Sequence, residues 1–253
     1  MKNSFLKNSF ISFLNSLMFK CILFLLIIMS YLVVSNCKGT DIFSSLSLVF
    51  GNHIFIALCI LPMFLFITNY VCTIFDKNIY SIVRFETKEK YYMELIKNVI
   101  FFTSVIFLVT LMMVIIVENI INDYGYHVFY DDIVHCYNYV YMIFVIVKFY
   151  LFSVLISVIN TLLIKSFNSK IIIVLNFILY AFVFYVGSFT SLVGTINGIP
   201  IFIGNYLISG TFFETFLNEV FANGMMIFIL LLVCFILFRY IKKRKRDIDW
   251  WSL

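Results

Sequence analysis

The sequence predicts an all-α membrane protein of six transmembrane helices with both ends in the cytoplasm. The first observation is that 63% of the 253 residues are apolar, 12% are charged and the mean hydropathy is +1.06. A water-soluble domain of this size has too little interior to hide so much apolar surface from water. The second is that the apolar residues are gathered into stretches of about twenty, the helix length that ~30 Å of hydrocarbon requires.

Six such stretches follow one another along the chain. They cover residues 19–36, 54–75, 98–117, 138–164, 171–193 and 219–240. An alternative for the first is a cleavable lipoprotein signal, because the run ends in VVSNC. The residue before Cys37 is Asn36, which is too large for the small-residue rule at such cleavage sites. We therefore expect residues 19–36 to be retained as the first transmembrane helix.

The basic residues predict the orientation. With the amino terminus inside, sixteen of the eighteen Lys and Arg residues fall in cytoplasmic segments, and only Lys38 and Lys148 do not. Because cytoplasmic loops carry an excess of Lys and Arg, both ends are predicted inside, in a multi-pass membrane protein. The basic residues flank apolar spans, so the net charge of +5 predicts contact with lipid and not with nucleic acid.

Three connecting segments have a character of their own. Residues 1–18 place apolar side chains at helical spacing and predict an amphipathic helix in the cytoplasmic interface. Residues 194–218 are apolar but rich in glycine, which predicts a re-entrant hairpin in the outer leaflet that other protein must cover. The basic tail at 241–253 fixes the last span in place, or alternatively binds anionic lipid or a protein partner.

A charged link at residues 76–97 joins the second and third spans. Four apolar residues can share one side of a short helix there: Ile79, Ile82, Val83 and Phe85. Within it, IVRFETKEKYYMELIKN resembles the basic and aromatic stretch after the second span of small ABC-2 type permeases. The matching residues are Arg84, Phe85, Lys88, Lys90, Tyr91 and Tyr92. The six spans, the amphipathic leader and the broken hairpin also resemble that family over the whole chain.

The resemblance implies a permease subunit of an ATP-driven exporter. Two copies, or one copy and a paralogue, would enclose a path for peptides, antimicrobial compounds or lipids. Each would rest through residues 76–97 on a separate cytosolic ABC ATPase that binds ATP and Mg, with Ile82, Val83, Arg84, Phe85, Lys88 and Tyr91 as the coupling residues. The chain has no G-x-x-x-x-G-K-[ST] loop and is not expected to be an enzyme.

Lys148 is the charged residue that lies well inside a predicted span, away from both of its ends. An uncompensated charge there costs about 2.5–3.5 kcal/mol on insertion scales. Two interpretations are open: the side chain faces the helix bundle and the translocation path, or it extends along the helix to the membrane surface.

The predicted outer loop after the third span offers weak metal candidates. His127, Asp131 and His135 are spaced by four residues, so a short helix would face them one way toward a cation such as zinc. Acidic outer loops also follow from the positive-inside rule, and we expect no metal. Cys37 and Cys136 are both predicted outside, where free thiols are expected more than a disulfide.

Two other classes of function compete with the exporter. A secondary transporter would show inverted repeats and paired acidic residues inside its spans, and no Asp or Glu lies in the middle of any predicted span. A non-catalytic membrane immunity protein is the other alternative. An intramembrane enzyme would need a Ser–His pair, H-E-x-x-H or paired carboxylates at membrane depth, and none of these motifs is present.

Overall fold

A computed structural model of the chain shows a bundle of helices. It describes residues 10–36, 41–56, 60–77, 87–121, 125–131, 136–167, 174–176, 178, 195–196, 199–200 and 215–244. Most of these residues are helical. The predicted all-α class is therefore confirmed for the part of the chain that the structure describes.

The helices and strands are numbered here in the order in which they occur along the chain. The first helices are α1 (Leu17–Asn36), α2 (Ile42–Gly51), α3 (His53–Phe55), α4 (Leu61–Lys77) and α5 (Lys88–Ile121). A hairpin of β1 (Tyr130–Asp131) and β2 (Cys136–Tyr137) leads into α6 (Asn138–Ser166). A second antiparallel pair, β3 (Thr195–Ile196) and β4 (Ile199–Pro200), precedes α7 (Phe216–Arg244).

Four helices, α1, α5, α6 and α7, are long and apolar enough to cross a membrane. They coincide with the predicted spans at 19–36, 98–117, 138–164 and 219–240. The structure is thus compatible with a multi-pass membrane protein. The described helical residues of the second predicted span, 54–75, form the short helix α3 and the 17-residue helix α4. Most of the fifth predicted span, 171–193, lies outside the described residues.

Helix α2 is an element that the sequence analysis did not predict. The predicted outer connection after the first span contains this ten-residue helix. Asp41 begins it as the N-cap, where its Oδ1 accepts hydrogen bonds from the backbone N–H groups of Phe43 and Ser44 at 2.7 and 3.0 Å. Most of α2 is buried against α5 and α6, so apolar packing stabilises a segment too short to cross the membrane.

Helix α6 is the centre of the bundle and contacts α2, α4, α5 and α7. The ring of Phe149 on α6 packs against Phe50 of α2 at 5.7 Å and against Phe107 of α5 at 6.1 Å. All three of these phenylalanines are buried. Aromatic rings thus fill the space between α6 and two of its neighbours.

Only residues 10–18 of the amphipathic helix predicted at residues 1–18 are described. Residues 10–15 form a short helical turn that ends at Ser16. The Ser16 hydroxyl accepts a hydrogen bond from the Phe19 N–H at 3.2 Å and so caps the start of α1. The ring of Phe13 is fully buried, 5.0 Å from Tyr70 and 5.4 Å from Phe102. The apolar face of this turn therefore contacts α4 and α5. Residues 1–9 lie outside the described part of the chain.

The start of α5 and the ends of α6 and α7 lie together at one end of the bundle. Lys242 near the end of α7 donates a hydrogen bond to Glu89 in the first turn of α5 at 2.7 Å. The ammonium of Lys165, near the end of α6, lies 5.8 Å from the ring centroid of Tyr91. We call this end, where Glu89, Lys165 and Lys242 lie, the basal end.

The Asp41 cap gives a test of the packing of α2. Replacing Asp41 by Ala removes the acceptor at the helix start and is expected to lower the stability of the protein by about 1 kcal/mol, whereas Asp41→Asn keeps an acceptor and loses little. The midpoint of thermal unfolding in detergent, followed with a thiol-reactive dye that reports exposure of buried Cys72, measures both variants. An Asp41→Ala protein that unfolds at the wild-type temperature would contradict the capping role.

Candidate functional site

A buried ion pair joins α6 to α7. The Nζ of Lys148 lies 2.8 Å from Oε1 of Glu219, and the two side chains are only 1% and 2% exposed. Lys148 lies in the first half of α6 and Glu219 in the first turn of α7. The contact therefore lies inside the bundle, within two helices long enough to span a membrane.

Tyr141 completes the environment of the carboxylate. Its hydroxyl donates a hydrogen bond to Oε2 of Glu219 at 3.2 Å, so both carboxylate oxygens are engaged. Tyr141 precedes Lys148 by two helical turns, and a lysine in a helix leans toward the N-terminus. This direction carries the ammonium toward the side of Tyr141. One turn after Glu219, Asn223 donates a hydrogen bond to the Glu219 backbone carbonyl at 2.8 Å.

Aromatic rings form one wall beside the ion pair. The ring centroid of Phe144 lies 5.4 Å from the Lys148 ammonium, which is within the range of a cation–π contact. Phe216 packs edge-on against Phe144 at 5.3 Å and against Tyr141 at 6.2 Å. Phe144 and Phe216 are only partly buried, so this wall is also the rim of the site. We refer to Tyr141, Phe144, Lys148, Phe216 and Glu219 together as the α6–α7 cluster.

The cost of burying charge explains why these groups occur together. A lone charge at membrane depth costs about 2.5–3.5 kcal/mol on insertion scales, and breaking a buried pair by removing one partner costs about 3–5 kcal/mol. The opposite charges of Lys148 and Glu219 compensate each other, and the Tyr141 hydroxyl donates a hydrogen bond to the second carboxylate oxygen. The cluster is therefore stable as a unit and costly when incomplete.

Of the two interpretations of Lys148, the structure shows the side chain facing the bundle and not the membrane surface. Sequence reasoning missed its partner, because Glu219 was taken only as the first residue of the span at 219–240. The signal that identifies Glu219 is the need of Lys148 for a counter-charge in a neighbouring helix. Whether Lys148 also lines a translocation path stays a prediction.

The residues predicted to couple to an ATPase are only partly described. Ile82, Val83, Arg84 and Phe85 lie outside the described residues, and Lys88 is the first residue of α5. Tyr91 is buried, with its ring 5.9 Å from that of Phe75 and 5.3 Å from that of Tyr92. Tyr91 therefore packs the basal end of the bundle and does not present its ring on a free surface.

The predicted short helix around the metal candidates is wrong where the structure describes the loop. Asp131 lies in β1 and pairs with Cys136 in β2, so helical spacing does not bring it over His127. The run of Val128, Phe129 and Tyr130 favours an extended chain. His135 lies outside the described residues, and in the described part of the chain no group of three or more His, Cys, Asp or Glu side chains is placed to hold a metal ion.

Asn138 fastens this loop to the start of α6. Its side-chain Nδ2 donates to the carbonyl of His127 at 2.7 Å, and its Oδ1 accepts from the backbone N–H of Tyr139 at 2.9 Å. Cys136 beside it is a buried free thiol, and burial, followed by the charges of Asp131 and Glu219, raises the pKa of that thiol. Cys37 lies outside the described residues, so pairing of the two cysteines stays untested.

A second set of polar side chains lies on another face of α6, roughly half a turn around the helix from Lys148. Ser153, Ser157 and Asn160 are buried there, and Asn176 donates a hydrogen bond to Oδ1 of Asn160 at 3.1 Å. Since α6 carries buried polar groups on two faces, both faces contact protein. This agrees with its place at the centre of the bundle.

No protein family model matches this chain, and no curated protein or solved structure is significantly similar to it. The residues themselves therefore supply the functional inference. The described features on which a functional inference can be based are the buried charge pair, its aromatic rim and the basal end where three helices meet.

The ion pair predicts a non-additive mutational pattern. Lys148→Met and Glu219→Met each leave one buried charge without its partner, and each is expected to cost about 3–5 kcal/mol. The double variant buries neither charge and is expected to recover most of that loss. Thermal unfolding in detergent and the amount of protein in the membrane measure the three variants.

The pair Glu94–Lys97, at 3.2 Å and with side chains 25% and 63% exposed, is the matched control. Replacing both of its residues with Met should change stability by at most about 1 kcal/mol. A Lys148→Met, Glu219→Met double variant no more stable than the worse single variant would show that the two charges do not compensate each other.

Proposed function

We propose that this chain is the membrane-spanning permease subunit of an ATP-driven ABC exporter in the bacterial cytoplasmic membrane. In this proposal the chain has six spans with both ends inside, and residues 194–218 form a re-entrant outer hairpin. A second permease, identical or paralogous, completes the translocation path. The ATPase is a separate cytosolic chain that binds ATP and Mg and supplies the hydrolysis. The cargo belongs to the peptides, antimicrobial compounds or lipids.

The observation that supports the proposal best is the length of α5. Its 34 residues extend about 51 Å, some 20 Å more than the hydrocarbon layer. The charged residues of α5 are concentrated in its first ten positions, which were predicted to belong to the cytoplasmic link at 76–97. The part of α5 outside the hydrocarbon is therefore its start. Residues 78–86 of the predicted link precede this helix in the sequence and lie outside the described residues.

The protruding start of α5 is held to the other helices at the basal end. Glu89 contacts Lys242 of α7, and Tyr92 is buried beside Phe238 and Ile241 of α7 at the edge of a small cavity. Tyr91 packs against Phe75 of α4 and lies under Lys165 of α6. A displacement of the link would therefore move α5 together with three neighbouring helices.

The contacts of α5 with three neighbouring helices suit mechanical coupling between the link and the rest of the bundle. Helices transmit displacement as rigid bodies, and small shifts at an effector surface become larger rearrangements where packed elements have two arrangements. An ATPase that closes on ATP would push the link, tilt α5 and change the contacts of α6 with α7. The α6–α7 cluster lies between these two helices and would respond to that movement.

A carrier driven by an ion gradient is the second candidate, and one specific observation favours it. Buried ionisable residues within membrane helices often mark proton or ion pathways, and Lys148 and Glu219 are buried in two helices long enough to span a membrane. The two candidates differ in their partner. An exporter subunit requires a nucleotide-binding chain, whereas a carrier works without one.

The exporter proposal predicts an ATPase partner that depends on the link. The chain, purified from its native membranes in mild detergent, should carry a polypeptide with a phosphate-binding loop in near-equal amount, identified by mass spectrometry. Arg84→Glu and Phe85→Ala should each reduce the recovered ATPase at least about tenfold, which corresponds to about 1.4 kcal/mol of binding. Membrane insertion should be unchanged.

Lys170→Ala is the matched control, because it removes a basic residue from the other predicted cytoplasmic connection. Its ATPase recovery should equal that of the wild type. A chain that reaches the membrane in full amount and never carries a nucleotide-binding partner would contradict the exporter and favour the ion-driven carrier.

A further inference from the structure

The α6–α7 cluster contains the chemical groups that recognise an ammonium ion. Glu219 supplies a negative charge, with Oε1 2.8 Å from the Lys148 ammonium and Oε2 fixed by the Tyr141 hydroxyl at 3.2 Å. The π face of Phe144 lies 5.4 Å from the same ammonium. Sites for amines and quaternary ammonium groups combine aromatic faces in this way, because the face of an aromatic ring attracts a cation.

The occupant of this site is part of the chain itself. Lys148 reaches it from α6 on a flexible four-carbon stem, while the carboxylate belongs to α7. The groups that fix the carboxylate and form the wall, namely Tyr141 and Phe144 on α6 and Phe216 on α7, are separate from the lysine. An external ammonium of similar size would meet the same groups if Lys148 were absent or displaced.

The rim of the site indicates what an external ligand would carry. Phe144 and Phe216 are partly exposed at the edge of the cluster, and neighbouring Ile143 and Val147 on α6 are exposed. In a membrane these exposed side chains contact lipid tails. A ligand entering past this rim would keep its ammonium on Glu219 and its remaining atoms against apolar side chains.

We propose that the α6–α7 cluster is a binding site for an amine carried on an apolar chain, in which Lys148 is the resident occupant and can be exchanged on Glu219. Its use as a substrate site rests on the proposed transport function. The chemical class is an alkylammonium, which includes lysine-like side chains of amphipathic peptides and amino lipids. When α6 and α7 shift, the ligand ammonium takes the place of that of Lys148 on Glu219, and the flexible Lys148 stem carries its own ammonium along α6 toward the membrane surface, so neither charge stays buried without a partner.

The first experiment removes the resident occupant. Lys148→Ala deletes the ammonium and most of its stem, so the purified variant should unfold at a lower temperature than the wild type. n-Butylammonium chloride at millimolar concentration should restore at least half of that loss. n-Butanol at the same concentration, which has a similar shape and no charge, should not.

The control is Lys148→Ala combined with Glu219→Gln, which lacks the carboxylate and should show no difference between the amine and the alcohol. If Lys148→Ala does not accumulate, cells grown with butylammonium should recover it in the membrane and cells grown with butanol should not. If butylammonium restores Lys148→Ala no better than butanol does, both in the purified protein and in cells, the proposed site is wrong.

The second experiment tests exchange in the wild-type chain. Lys148 is 1% exposed in its side chain and should react slowly with a membrane-permeant acylating reagent. Butyltrimethylammonium, which the reagent cannot modify, should increase acylation of Lys148 several-fold by taking its place on Glu219. Lys97, whose side chain is 63% exposed, is the internal control and should react at the same rate throughout.

Unchanged acylation of Lys148 at saturating butyltrimethylammonium would overturn the exchange. Both experiments measure the stability or reactivity of this chain and require no ATPase. Their failure would leave the proposed partnership with an ATPase in place, and absence of an ATPase partner would leave the amine site in place.

Discussion

The ion pair between Lys148 and Glu219 is the interaction on which the arrangement of the helices depends. Helix α6 is the centre of the bundle, whereas among the described helices α7 contacts mainly α6 and has only 17% of its apolar stretch buried, against 50% for α6. Packing against these described helices holds α7 weakly, since lipid tails are as apolar as its side chains. The ion pair, whose side chains are 1% and 2% exposed, adds the attraction between α6 and α7 that packing lacks, because separating the two charges in lipid is costly.

The cost of unsatisfied polar groups in lipid also explains the two ends of the bundle. In lipid every backbone polar group must be satisfied, so long helices are favoured and breaks occur only where protein covers them. At the end near Asp41 and Asn138, side chains cap helix starts and fasten the loops. At the basal end, α5 continues as a helix through charged residues, held by the Glu89–Lys242 pair and buried tyrosines. The first end is thus fastened by capping and loop hydrogen bonds, and the basal end by an ion pair and buried aromatic rings.

Hydropathy predicts the long helices well, because the thickness of the hydrocarbon sets their length. It predicts neither α2, which is too short to span, nor the start of α5, whose Lys and Glu residues look like a loop although Tyr91 and Tyr92 are buried. Lys148 was recognisable from its place in a span. Glu219 was not, because the partners are 71 residues apart and only packing of α6 against α7 brings them together.

Cross-linking in intact membranes tests the central contact most directly. In a cysteine-free chain that keeps Lys148 and Glu219, cysteines in place of Phe144 and Phe216, whose ring centroids lie 5.3 Å apart, should be joined rapidly by a bifunctional thiol reagent about 8–10 Å long, the usual spacing of packed helices. Cysteines in place of Ile146 and Phe216 should react far more slowly, because Ile146 lies about 200° around α6 from Phe144. Linked peptides in mass spectrometry report both pairs. Equal linking of the two pairs, or no link between 144 and 216, would contradict the account.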